Sequence, residues 1–95
     1  MAVKILIKRK ASDKQSEALN SLLRKFRALA IEQPGYISGE TLKRVDHPGD
    51  CLVISTWKSA DEWYQWFNNP DRLQIQSQID ILIGAETTYE VYEAN

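Results

Sequence analysis

Leu52-Val53-Ile54-Ser55-Thr56-Trp57-Lys58-Ser59-Ala60-Asp61-Glu62-Trp63-Tyr64-Gln65-Trp66-Phe67 reads as a strand that passes through a capped turn into a short aromatic helix. All three tryptophans of the chain lie in it. In the strand, which starts at Cys51 and ends at Lys58, Leu52 and Ile54 share one face, and Cys51, Val53, Ser55 and Trp57 share the other. Both faces carry apolar groups, as expected of a central strand covered on both sides. Ser59-Ala60-Asp61-Glu62 is a capping box that starts the helix. Within the helix, Ala60, Trp63 and Phe67 fall on one face and are the natural core contacts. Trp66 is displaced to one flank and Tyr64 to the opposite side. The flank position suits Trp66 equally to a cleft wall and to a core or dimer contact.

Outward from this unit, the other elements carry their own signals. Val3 to Lys10 alternates, with Val3, Ile5 and Ile7 opposite Lys4, Lys8 and Lys10, and Leu6 on the charged face. Ser12-x-x-Gln15 is a second capping box. The helix after it has a stripe of Leu19, Leu22, Leu23, Phe26, Leu29 and Ala30, and Pro34-Gly35 ends it. Tyr36 to Asp46 is a strand with less regular alternation, and His47-Pro48-Gly49-Asp50 is a turn. Asn69-Pro70-Asp71 breaks the aromatic helix and caps another, which runs to Ile83 with Gly84 after it. Ile75, Ile79, Leu82 and Ile83 are its expected core stripe. Gln76 lies at the stripe's edge, and Leu73 and Ile81 fall outside it. Thr87 to Glu93 is the last strand.

The order β-α-β-β-α-α-β, with the last two helices as one broken crossover, is the split βαβ of a ferredoxin-like α+β fold with one antiparallel sheet. Residues 1–95 fit a single domain. Helices on one sheet face leave the other bare, so a homodimer through the sheet face is expected. Tyr89 and Val91 belong to that interface or to the core beneath it.

Composition removes several function classes. The net charge of −1 gives no general attraction for nucleic acid. Lys8-Arg9-Lys10 reads as a solvated strand end. Cys51 is the single cysteine, so no internal disulfide forms, which fits a reducing cytoplasm. No apolar run reaches the roughly 20 residues of a membrane span. There is no Cys/His metal spacing and no Gly-rich phosphate loop, so neither a metal nor a cofactor is expected. His47, the single histidine, lies in a turn.

The runs Ile5-Leu6-Ile7-Lys8-Arg9-Lys10, Gln33-Pro34-Gly35-Tyr36-Ile37-Ser38-Gly39-Glu40-Thr41-Leu42 and Val53-Ile54-Ser55-Thr56-Trp57-Lys58-Ser59, with Trp63-x-x-Trp66, resemble the antibiotic biosynthesis monooxygenase family. The resemblance covers nearly the whole chain. It implies a dimeric α/β barrel with a cleft between sheet and helices in each subunit. It also implies activities that include cofactor-independent oxygenation of quinol- or anthrone-type aromatics and haem degradation. The haem-degrading members use an Asn on the first strand, a Trp on the helix after the third strand and a His on the next helix. Trp66 matches the tryptophan. The first strand has Ile5, Leu6 and Ile7 instead of Asn, and Gln76 stands near the His position, so haem degradation is not expected.

A cofactor-free oxygenase needs a flat apolar slot and donors that stabilise a substrate anion. Trp66, Trp57 and Tyr64 are the candidate walls, Arg72 and Gln76 the candidate donors from the helix, and Ser38 or Ser55 from the sheet. Trp66, Arg72 and Gln76 are also the catalytic candidates. The competing expectation is a non-catalytic dimeric barrel that binds a small apolar ligand or acts in a stress-related interaction.

Overall fold

The computed structural model describes residues 1–10 and 17–94. The expected capping box Ser12 to Gln15 lies outside the described residues. The elements are β1 (Val3–Lys10), α1 (Glu17–Ala30), β2 (Tyr36–Lys43), β3 (Asp50–Trp57), α2 (Ala60–Phe67), α3 (Pro70–Ile83) and β4 (Thr88–Glu93). The strands form one sheet in the order β2-β3-β1-β4, with every neighbouring pair antiparallel. β3 lies between β1 and β2, which is the expected split βαβ.

The register assigns the faces. Ile5 pairs with Ser55 and Val91, Ile7 with Val53 and Tyr89, and Val3 with Trp57. These residues stand on the helix-covered face, where Val3, Ile5 and Trp57 are fully buried. The core joins them to Leu19 and Phe26 of α1, Trp63 and Trp66 of α2, and Ile75 and Ile79 of α3. The opposite face carries Leu6, Leu52 and Ile54, which are half-buried, with Leu42 and Tyr92 exposed. This is the face expected to be left bare by helices on one side, and it also carries Lys4, Lys8 and Lys10, which bond Thr56, Glu90 and Asp50.

Both described caps have the chemistry their sequences specify. Ser59 Oγ accepts from the Glu62 amide at 3.2 Å and donates to Glu62 Oε1 at 3.0 Å. Asn69 Oδ1 accepts from the amides of Asp71 (2.8 Å) and Arg72 (3.2 Å), with Pro70 as the first helical residue. Gly35, at φ +88°, turns the chain from α1 into β2, and a Cβ there would lie 2.5 Å from the Glu62 side chain. Thus the Pro-Gly-Tyr turn packs directly on the cap of α2.

Three expectations need correction. β2 ends at Lys43, not Asp46: the Arg44 amide closes the turn on the Asp50 carbonyl at 3.1 Å, and its side chain bonds Asp46 at 2.8 Å. Leu82 is 48% exposed, because the inward stripe of α3 is Arg72, Ile75, Gln76, Ile79 and Ile83. That stripe holds two polar residues in place of aliphatic ones. Finally, β2 has a bulge between Tyr36 and Ser38, opposite Trp57 and Thr56. One extra residue reverses the alternation, so Tyr36 and Gly39 both face the helices and Ser38 faces away.

Candidate functional site

A cleft lies between the sheet and α1, α2 and α3. Its walls are aromatic because five of the elements send six rings inward. Phe26 comes from α1, Trp57 from β3, Trp63 and Trp66 from α2, Tyr36 from β2 and Tyr89 from β4. Trp66 is 4% exposed and packs against Phe26 with ring centres 5.7 Å apart and planes tilted by 49°. Trp57 meets Tyr36 edge-on at 5.5 Å and Trp63 at 5.7 Å. Ser55 accepts the Trp57 indole N–H at 2.7 Å, which leaves that ring no free polar group. The cleft opens to solvent on one side and has a volume of about 120 Å³. An apolar cavity of about 150 Å³ holds a benzene ring, so the cleft is sized for one ring. Leu23 and the exposed Arg27 of α1 form its outer lip.

Two guanidinium groups close the polar end. Arg72 is only 2% exposed. Its Nη1 donates to the Phe67 carbonyl at 3.0 Å and its Nη2 donates to the Tyr89 hydroxyl. Its guanidinium carbon lies 4.6 Å from the ring centre of Phe67, 5.2 Å from Tyr89 and 5.6 Å from Phe26. The Tyr89 hydroxyl donates onward to Gln76 Oε1 at 3.1 Å. Gln76 Nε2 donates to Asp80 Oδ1 at 2.7 Å and Thr87 Oγ1 at 2.9 Å. Arg9 enters from β1, 5.4 Å from the Phe26 ring centre, with its Nη2 3.5 Å from Gln76 Oε1.

Burial governs the ionisation of this cluster. Desolvation lowers the pKa of both Arg9 and Arg72, partly offset by Tyr89 and Asp80. Desolvation also raises the Tyr89 phenol, opposed by the two arginines. Tyr89 is therefore neutral near pH 7 and acts as a donor and acceptor between two cations. Asp80 is the carboxylate that offsets this charge, and it does so through Gln76. Among the described residues, Arg9 Nε and Arg72 Nε are buried without a hydrogen-bond partner.

The profile of the antibiotic biosynthesis monooxygenase family matches residues 2–78 of this chain. The chain belongs to that family. Among solved structures, it is similar to SnoaB from Streptomyces nogalater, a cofactor-independent oxygenase. The TM-score is 0.80 at 16% identity, over 99% of this chain and 93% of SnoaB. It is also similar to a conserved protein from Methanosarcina mazei Go1, with a TM-score of 0.85 at 14% identity over 100% and 94% of the two chains. A curated relative, Protein SchA of Streptomyces halstedii, is 31% identical over 61 residues. That match covers 64% of this chain and 16% of SchA. The chain thus aligns with a small part of that longer relative.

Within this antibiotic biosynthesis monooxygenase fold, the expected site residues separate into two groups. Trp66, Trp57, Ser55 and Arg72 line the cleft, and Gln76 is buried one hydrogen bond behind it through Tyr89. Tyr64 and Ser38 are not in it. Tyr64 is 48% exposed, because its position on α2 is opposite Trp66. Ser38 is on the outer sheet face because of the β2 bulge. Two cleft residues carried no clear signal. Arg9 is embedded in a run of three basic residues, but its odd register puts it on the face of Ile5 and Ile7. Strand parity alone could have found it. Tyr89 needed the β1–β4 register to assign its face. His47 is 60% exposed in its turn, 3.8 Å from Asp50, and outside the cleft.

Proposed function

We propose that this chain is a cofactor-independent monooxygenase acting on a small electron-rich aromatic of the quinol type, working as a homodimer through the bare sheet face. The observation that carries this reading is the one-ring aromatic cleft whose polar end is the Arg72–Tyr89–Gln76 cluster. A quinol or anthrone that loses a proton becomes an anion able to reduce oxygen directly. Carbon–oxygen bond formation then gives a peroxide. Loss of water from the peroxide leaves a carbonyl, so one oxygen atom enters the product and the other leaves as water. The protein's share of this work is to hold the ring flat against Trp66 and Phe26 and to stabilise the anion beside Arg72 in a site of low dielectric.

The cleft holds no histidine, and Tyr89 is kept neutral, so the proton leaves from a substrate that is itself acidic. A volume near 120 Å³ supports a single-ring quinol over a three-ring anthrone, whose outer rings would protrude past Leu23 and Arg27. Haem does not fit: Gln76 has its oxygen and nitrogen engaged with Tyr89, Asp80 and Thr87. The bare sheet face supports the dimer, since Leu6, Leu52 and Ile54 would otherwise face water.

Oxygen uptake with a panel of hydroquinones, naphthoquinols and anthrones tests the proposal. Uptake above buffer with the wild type, largest for one-ring substrates and lost in Arg72→Met, is expected. No uptake with any substrate would leave the cleft as a binding site for a small apolar ligand.

A further inference from the structure

The most unusual feature of the cleft is a pair of largely buried guanidinium groups in its lining, each with one donor left unpaired among the described residues. Arg9 Nε and Arg72 Nε are both inaccessible to solvent and unpaired among the described residues. Leaving such a donor unpaired costs about 1–3 kcal/mol each. Both guanidinium groups lie against the same ring, with carbons 5.4 Å and 5.6 Å from the centre of Phe26. Their remaining donors are not equivalent. Arg72 is fixed by the Phe67 carbonyl and the Tyr89 hydroxyl. Arg9 has one long bond of 3.5 Å to Gln76.

The charge around the cleft is positive. Arg9, Arg27, Arg72 and Glu40 are its charged lining residues, with the tyrosines Tyr36 and Tyr89. Glu40 belongs to the opposite sheet face by its pairing with Ile54. Asp80 offsets one of the two inner arginines through Gln76. Among the described residues one positive charge is left over at the inner end, which matches one negative charge on a ligand.

We propose that the cleft selects a hydroxyaryl carboxylate: a single aromatic ring that carries both a phenolic oxygen and a carboxylate. In this arrangement the fixed donor, Arg72, meets the phenolic oxygen, and the less constrained Arg9 meets the carboxylate. The ring lies between them against Phe26 and Trp66. This inference rests on the cleft being an aromatic site, and it narrows the substrate class from neutral quinols to acids. A carboxylate also gives Arg9 a charge-assisted partner, which a neutral hydroxyl does not.

The test is anaerobic calorimetric titration with the three hydroxybenzoates and their uncharged amides. Without oxygen, binding is read apart from turnover. At least one acid is expected to bind about tenfold or more tightly than its own amide. Arg9→Met, which keeps the aliphatic stem and removes the donors, is expected to bring acid and amide level. Equal binding of acids and amides to the wild type would overturn the proposal, as would an acid preference that survives in Arg9→Met. If Arg9→Met does not fold, the wild-type ratio decides alone. Uptake of oxygen with neutral quinols and no preference for acids would refute this inference and keep the oxygenase reading. Selective acid binding with no oxygen uptake would do the reverse.

Discussion

Replacing Arg72 by Met separates what this buried cation does for stability from what it does for function. The wild-type side chain makes hydrogen bonds to the Phe67 carbonyl and the Tyr89 hydroxyl. Each is worth about 1.5–3 kcal/mol as a bond from a charged group. Its stacking on Phe67, Tyr89 and Phe26 adds about 0.5–2 kcal/mol. Against these stand a desolvation cost of several kcal/mol for one buried ion and the unpaired Nε, which costs about 1–3 kcal/mol. Methionine refunds both costs and keeps most of the packing volume. No carboxylate bonds Arg72 directly among the described residues, so its removal strands no buried counter-charge. Tyr89 keeps its bond to Gln76. The gains and losses nearly cancel, and the expected loss is at most about 2 kcal/mol, whereas breaking a true buried ion pair costs about 3–5 kcal/mol. Urea denaturation measures this directly, with a shifted midpoint and an unchanged slope. A loss above about 4 kcal/mol would show that Arg72 is a structural keystone and would refute this reasoning. So would a folded Arg72→Met protein with full ligand binding.

Other consequences follow from the same contacts. Gly35→Ala combines a positive φ with a Cβ 2.5 Å from Glu62, and is expected to destabilise by about 2–4 kcal/mol by thermal melting. The double variant with Glu62→Ala should recover only a fraction of the steric part, since the Glu62 Cβ stays 2.7 Å from the added Cβ, and none of the backbone part. Ile54→Lys on the bare sheet face should turn a dimer into a monomer by sedimentation at tens of micromolar; a wild-type monomer would remove the dimer from this account. Tyr89 has a raised pKa, so an ultraviolet titration should show a phenol that ionises above the ordinary tyrosine value, and Tyr89→Phe should delete that step. The sign for stability follows: the folded state holds the phenolic proton more tightly. Its contribution is fully present below the ordinary tyrosine pKa near 10.0 and is lost as pH rises through the raised value. A titration curve that is unchanged above the ordinary tyrosine value in Tyr89→Phe would contradict this.

The elements were legible because their signals are local. Ser59 and Asn69 announce their helices by side-chain chemistry, and β1 announces its faces by alternation that only Leu6 and Arg9 break. The site was only half legible, because it depends on register. Ser38 shares a face with Tyr36 in a regular strand, and the bulge at residue 37 reverses that. Arg9 is hidden in a basic run, although its odd position in β1 puts it on the face of Ile7, as the pairing with β3 and β4 bears out. Arg72 and Gln76 occupy the positions where α3 would ordinarily carry aliphatic residues. That substitution blurs the helical stripe, and Leu82 takes a place in it that the structure does not give. A polar pair on a core-facing stripe is the signal of a site, but it is visible only once the inward face of the helix is known.

The central claim is that the Trp66–Arg72–Tyr89 cleft promotes direct reaction of a bound aromatic with oxygen. The most direct test is reaction under isotopically heavy oxygen gas, with metal and flavin removed, followed by mass spectrometry of the product. The account predicts one heavy oxygen atom in each product molecule, one molecule of oxygen consumed per turnover, and loss of this labelling in Arg72→Met. Product that takes its oxygen from water, or labelling that persists unchanged in Arg72→Met, would contradict it.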